Sequence, residues 1–269
     1  MAERHPLPAF FAISYTFSWL VFLYMIRFRA PMQFTILASF GPSIAALATH
    51  RLAAGNYRAF RFSATWRRTL VSTAAGIALV IFAYVVLPGV ATADPRELNW
   101  SILSSVAVYN YSTLLGGPLG EEPGWRGYAL PRLQAQFGPF RASLLLGVLW
   151  AAWHLPLFLI PNWESSPVWI YFPILIGLSV IMSLGSNMAG FAVLPSILMH
   201  SAFNTASKFL NGLFAGVEPA TSIRFDLVLA ICGLATASIL ILITKGNLAR
   251  YQDGDQPDQT SARRSRSSK

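Results

Sequence analysis

The chain has 269 residues, 54% of them hydrophobic and only 12% charged, with a net charge of +9. Soluble globular domains carry about a quarter of their residues as charges, so this composition excludes an ordinary soluble enzyme and points to a helical membrane protein. The single cysteine, Cys232, excludes an intrachain disulfide. The basic residues fall in loops and in the closing RRSRSSK, a placement that suits membrane lipid head groups rather than nucleic acid.

Eight apolar runs follow one another along the chain, at 9–26, 33–50, 69–90, 100–118, 142–160, 169–187, 190–210 and 226–244. Each is long enough, or nearly so, to cross a hydrocarbon core of about 30 Å at 1.5 Å per residue. The first is too long for a signal-peptide core and lacks a small-residue cleavage site, so it reads as a retained helix. The expected fold is therefore all-α, a polytopic membrane helix bundle of about eight transmembrane helices. Residues 1–244 form one membrane-embedded domain with its motif core near 100–210, and 245–269 form a disordered polybasic tail. With the N-terminus inside, the inside segments hold roughly three times the Lys and Arg of the outside ones, which puts both termini in the cytoplasm. An Arg to Lys ratio of 17 to 3 suits a GC-rich, bacterial genome and hence a bacterial plasma membrane.

Charge at mid-membrane is costly, about 2.5–3.5 kcal/mol even on lenient scales, and so marks function by default. Nine of the eleven acidic residues lie in tails, in loops or at the ends of runs; Glu121 and Glu122, closing the fourth run in GGPLGEEPGWRG, are the exceptions. Of the four histidines, His154 and His200 sit inside the fifth and seventh runs. Trp150 and His154 are one helical turn apart, as are His200 and Asn204, and Glu122 and Arg126. Glu122 can thus pair with Arg126, while Glu121, about 140° further round from Arg126 on a helix, is left to face a cavity. The glycines and prolines around the glutamates open the backbone ladder, which is tolerated at membrane depth only beside protein or a wet cavity. A glutamate there can take a proton from water, a histidine can position that water, and His200 with Asn204 can hydrogen-bond an oxyanion.

Each residue alone has an ordinary reading: a helix salt bridge, interhelical histidines, and Trp150 and Trp153 as packing or interfacial aromatics. Depth also sets a condition. A straight fourth run would carry Glu121 about 31 Å from Trp100, far from the depth of both histidines. The run must therefore tilt or break at Gly116–Pro118, or the fifth must begin later than 142.

Glu121-Glu122-x-x-x-Arg126-Gly127, then Trp150-x-x-x-His154, then His200-x-x-x-Asn204, resembles the motif set of the CPBP intramembrane proteases. That family holds the type II (Rce1-like) CAAX prenyl proteases and the bacteriocin self-immunity proteins. The resemblance covers roughly residues 100–210, and Trp150 stands where phenylalanine is common. It implies that Glu121 activates the hydrolytic water with help from His154, that His200 and Asn204 form the oxyanion site, and that Glu122 and Arg126 support the first motif. It implies endopeptidase activity near the C-terminus of a lipidated or membrane-anchored protein. Glu121, His154 and His200 would also make a catalytic zinc set, against which Asn204 beside His200 favours metal-free water activation and no cofactor. Two other readings compete: a transporter or proton relay, and a non-catalytic immunity or scaffold protein on the same fold.

Overall fold

A computed structural model describes residues 6–54, 59–92, 114–160, 163, 166–213 and 219–250. Among these the chain is helical, with no named strand, in keeping with the all-α expectation. Helix α1 spans Pro6–Phe28. The expected second run divides at Phe40 into α2 (Phe34–Ser39) and α3 (Gly41–Ala54), because Pro42 has no N–H to carry the ladder across. Helix α4 (Trp66–Ile81) passes through a π-turn at Phe82–Val86 into α5 (Leu87–Thr92). Helix α6 (Pro118–Gly124) passes through a second π-turn, Trp125–Ala129, into α7 (Leu130–Trp153), which ends in a short 3-10 turn at Leu155–Leu159. Helices α8 (Val168–Met188), α9 (Val193–Leu213) and α10 (Pro219–Ile243) complete the bundle.

Among the described residues, five stretches are long and apolar enough to cross a membrane, against the eight runs expected: 6–28, 66–91, 118–159, 168–188 and 223–243. Most of the fourth expected run, 100–113, lies outside the described residues. The apolar side chains of Leu20, Ile231, Leu242 and Ile243 stand more than half exposed, as a surface in contact with lipid requires. Helix α8 is the most buried of the spanning stretches and packs against α4, α7, α9 and α10. With no hydrophobic drive between helices in lipid, close backbone approach has to supply the contact. A Cβ on Gly177 of α8 would meet the Gly233 carbonyl carbon of α10 at 2.8 Å, and the Tyr84 hydroxyl beside them donates to the Ile174 carbonyl at 2.9 Å.

Two features correct the sequence reading. Glu121 and Glu122 begin a helix instead of closing one. Gly116 and Gly117 form a turn, and Pro118 opens α6, where its missing N–H costs nothing. That is the break the depth argument required. Arg126, one turn beyond Glu122 and paired with it as the spacing predicts, is fully buried in the π-turn.

The second feature is Gly138, with φ 75° and ψ 166°, which interrupts α7 so that its two legs run in different directions. Arg126 and Trp150 lie equally far before and after Gly138 in sequence, and the guanidinium carbon sits 4.2 Å from the Trp150 ring centroid. The fold-back at Gly138 thus brings the first motif to the second. Helix α6 is seated on the α2–α3 junction by two glycines one turn apart. A Cβ on Gly120 would come within 2.8 Å of the Ser39 backbone, and one on Gly124 within 2.4 Å of Pro42. Ser43 Oγ donates to the Gly120 carbonyl at 2.5 Å across the same contact.

The third motif is anchored at its start. The Val193 and Leu194 N–H groups donate to the Arg61 and Phe62 carbonyls, both at 2.9 Å, which satisfies donors that a helix N-terminus leaves open. Beyond α10, Leu248 is buried, and its carbonyl accepts from Asn187 Nδ2 at 2.8 Å. Asn187 Oδ1 in turn accepts from Gln134 Nε2 at 2.9 Å. Packed structure therefore runs past the boundary drawn at 244, and residues 251–269 of the expected tail lie outside the described residues.

Candidate active site

Glu121 is the fourth residue of α6 and 4% exposed. Helical side chains lean toward the N-terminus of their helix, which carries this carboxylate back over Gly117. A Cβ on Gly117 would lie 2.9 Å from Glu121 Oε1 and 3.9 Å from Asn204 Nδ2. The missing side chain at 117 therefore keeps clear only a narrow gap, too tight for a Cβ as it stands, between one carboxylate oxygen and the Asn204 amide. The other oxygen, Oε2, accepts a hydrogen bond from Trp150 Nε1 at 2.7 Å.

Glu122 points the other way around α6. Its Oε1 accepts from Arg126 Nη1 at 3.1 Å and from His200 Nδ1 at 2.8 Å. The carboxylate thus joins the first motif to the third. Met199, next to His200, is wedged between two helices: a Cβ on Gly76 of α4 or Gly185 of α8 would come within 2.6 Å of its sulfur. His200 is held from both sides in consequence.

His154 sits at the end of α7 rather than well inside a spanning helix, as its C-cap residue. Its Nδ1 bonds the Trp150 carbonyl at 2.8 Å. A carbonyl only accepts, so Nδ1 carries the proton and a neutral ring keeps Nε2 as its basic atom. Trp19 Nε1 donates to the Trp153 carbonyl at 2.9 Å, and the Tyr15 hydroxyl donates to the Leu149 carbonyl, so α1 ties down the last turn of α7. Around the imidazole stand Trp153, Trp163 and Tyr171, with centroids at 4.8, 6.0 and 5.5 Å.

Glu121, Glu122, Arg126 and His200 all lie out of water. Two carboxylates and one guanidinium leave one uncompensated negative charge, which a buried cluster tolerates poorly. His200 brings its Nδ1 to Glu122 Oε1 at 2.8 Å within this cluster.

The zinc set of Glu121, His154 and His200 is not the group the fold assembles. Ligand atoms of Glu121, Glu122 and His200 lie within 4.8 Å of one another, and His154 is not among them. Glu122 Oε1 is engaged by both Arg126 and His200, and the Arg126 guanidinium stands beside the carboxylates. A fixed positive charge and a doubly engaged oxygen suit a divalent cation poorly.

A family model described as Type II CAAX prenyl endopeptidase Rce1-like matches residues 104–206, the stretch holding all three motifs. That segment, less than half of the chain, is similar to the Rce1-like family. The CAAX prenyl protease 2 of Methanococcus maripaludis is 50% identical to this chain over 42 residues, 16% of this chain and 16% of that relative. The match thus spans about a sixth of the relative's length. The Rce1-like segment, set among these apolar helices, makes the protein integral to a membrane.

Within the Rce1-like segment, sequence reasoning took Trp150 for a packing aromatic. It is instead a hydrogen-bond donor at the centre of the site: it bonds Glu121, lies under Arg126, and meets His200 and His154 edge-on at 5.0 and 6.0 Å. The signal available was its place one turn before His154. Gly117 was read as a helix breaker, and the opening it leaves beside Asn204 has no signature along the chain.

Proposed function

We propose that this protein is an intramembrane endopeptidase that cleaves near the C-terminus of a lipidated or membrane-anchored protein by metal-free activation of water. The observation that carries the reading is the buried Glu121 carboxylate with one oxygen fixed and the other bordering the Gly117–Asn204 gap. A substrate carbonyl admitted there as the Glu121 and Asn204 side chains give way lies between a base and an amide donor. Glu121 takes a proton from water as the water oxygen bonds the carbonyl carbon, and His154 Nε2 orients that water. The oxyanion that forms is met by Asn204 Nδ2–H and by the His200 imidazole. The proton held by Glu121 then passes to the amine as the C–N bond breaks, leaving acid, amine and the original carboxylate. Glu122 and Arg126 touch no reacting atom and act by holding His200.

The Rce1-like match to residues 104–206 and the name of the Methanococcus relative support a lipidated CAAX-type substrate. The basic-residue count supports cytoplasmic termini in a bacterial plasma membrane, with the site reached from the cytosolic side. The test is hydrolysis of a membrane-bound prenylated peptide by the purified protein in liposomes, with and without a strong zinc chelator. Activity should persist under chelation and fall at least about 100-fold in Glu121→Gln. Loss of activity on chelation, restored by zinc, would overturn the metal-free mechanism; full activity in Glu121→Gln would remove Glu121 as the base.

A further inference from the structure

Glu121 has two oxygens with different surroundings, and the difference originates in Trp150. Oε2 receives the indole N–H at 2.7 Å. The indole is itself immobilised, 1% exposed, with Arg126 over its ring at 4.2 Å and His200 against it edge-on at 5.0 Å. A donor clamped in this way can swing little. An ionised carboxylate that accepts from it loses the freedom to rotate about its last torsion, which for a glutamate is otherwise broad and roughly two-fold. With Oε2 so tied, Oε1 is left over Gly117, at the edge of the opening toward Asn204.

We propose that Trp150 is a positioning residue for Glu121: its indole N–H fixes one carboxylate oxygen so that the other stays aimed into the Gly117–Asn204 gap. The inference rests on Glu121 being the base of the proposed hydrolysis. It also gives the tryptophan at this motif position a chemical role. A phenylalanine would keep the ring under Arg126 and beside His200 but would donate nothing, leaving the carboxylate to be oriented by other means.

The test separates the N–H from the ring. Trp150 is replaced by phenylalanine and, in a second variant, by the benzothiophene amino acid that keeps the two-ring shape and puts sulfur in place of N–H. For a prenylated peptide in liposomes, kcat should fall about 10- to 100-fold in both variants, the loss that fits one hydrogen bond to a charged group. KM should hold, and the benzothiophene variant should keep the wild-type circular dichroism spectrum because the ring still packs under Arg126. A purely structural role would instead leave kcat of the folded isostere intact. Independently of activity, the indole ¹H–¹⁵N resonance that disappears in Trp150→Phe should lie downfield in the wild type and move upfield in Glu121→Ala. Wild-type kcat in the benzothiophene variant, or an indole resonance indifferent to Glu121, overturns the inference. A wild-type protein that cleaves no prenylated peptide counts against the protease reading, and the resonance alone then decides whether Trp150 holds Glu121.

Discussion

Arg126 is a full charge with no exposure, held by one hydrogen bond to Glu122 and by the Trp150 ring. Removing one member of such a buried pair strands the other, at about 3–5 kcal/mol. Arg126→Ala should therefore lower stability by that order in a reversible unfolding assay such as steric trapping, well beyond the effect of an exposed arginine such as Arg67. Asn204→Ala has a different expected signature. The residue is half-buried at the edge of the gap, so the fold should survive while kcat falls about 10²- to 10³-fold with little change in KM, as for loss of one oxyanion donor. The chain shows much of this chemistry directly, because Glu122–Arg126 and His200–Asn204 are helical neighbours and local spacing decides who shares a face. The contacts from Glu122 to His200 and from Trp150 to Glu121 join residues 78 and 29 apart. No periodicity reports such pairs, since they depend on how three helices cross.

Among the elements, the long stretch from Pro118 to Leu159 was the hardest to read. Hydropathy sees apolar residues and registers a loop only where polar ones collect, so the buried Glu121, Glu122 and Arg126 passed for the boundary of a span. The real interruptions are conformational, at Gly116–Gly117 and at Gly138. At φ 75° and ψ 166° the backbone of Gly138 lies where residues with a Cβ are strained by roughly 1–3 kcal/mol, although the space around it is open. Gly138→Ala should thus destabilise by that amount through the backbone alone. It should also reduce peptide hydrolysis by shifting Trp150 relative to Glu121. Circular dichroism melts alongside kcat would check both, and an unchanged protein would show that the fold-back tolerates a side chain.

At the scale of the whole molecule, apolar periodicity captured the architecture well: α1, α4, α8 and α10 fall close to expected runs, because a lipid-facing helix has to be apolar along its length. The orientation proposed from the basic residues, with both termini cytoplasmic, is open to a direct check. In a Cys232→Ser background, a cysteine placed at Arg250 should react with a membrane-impermeant thiol reagent only from the cytosolic side, and one placed at Arg29 only from the opposite side. The reverse pattern would put the catalytic gap on the wrong face for a cytosolic substrate. The chain Gln134–Asn187–Leu248 has a practical bearing on any such engineering. A reporter fused after Arg250 leaves this latch whole, whereas a protein truncated at Asn247 loses the carbonyl that Asn187 grips. The slack then passes through Gln134 into the helical leg that begins with the glutamates, far from the cut itself.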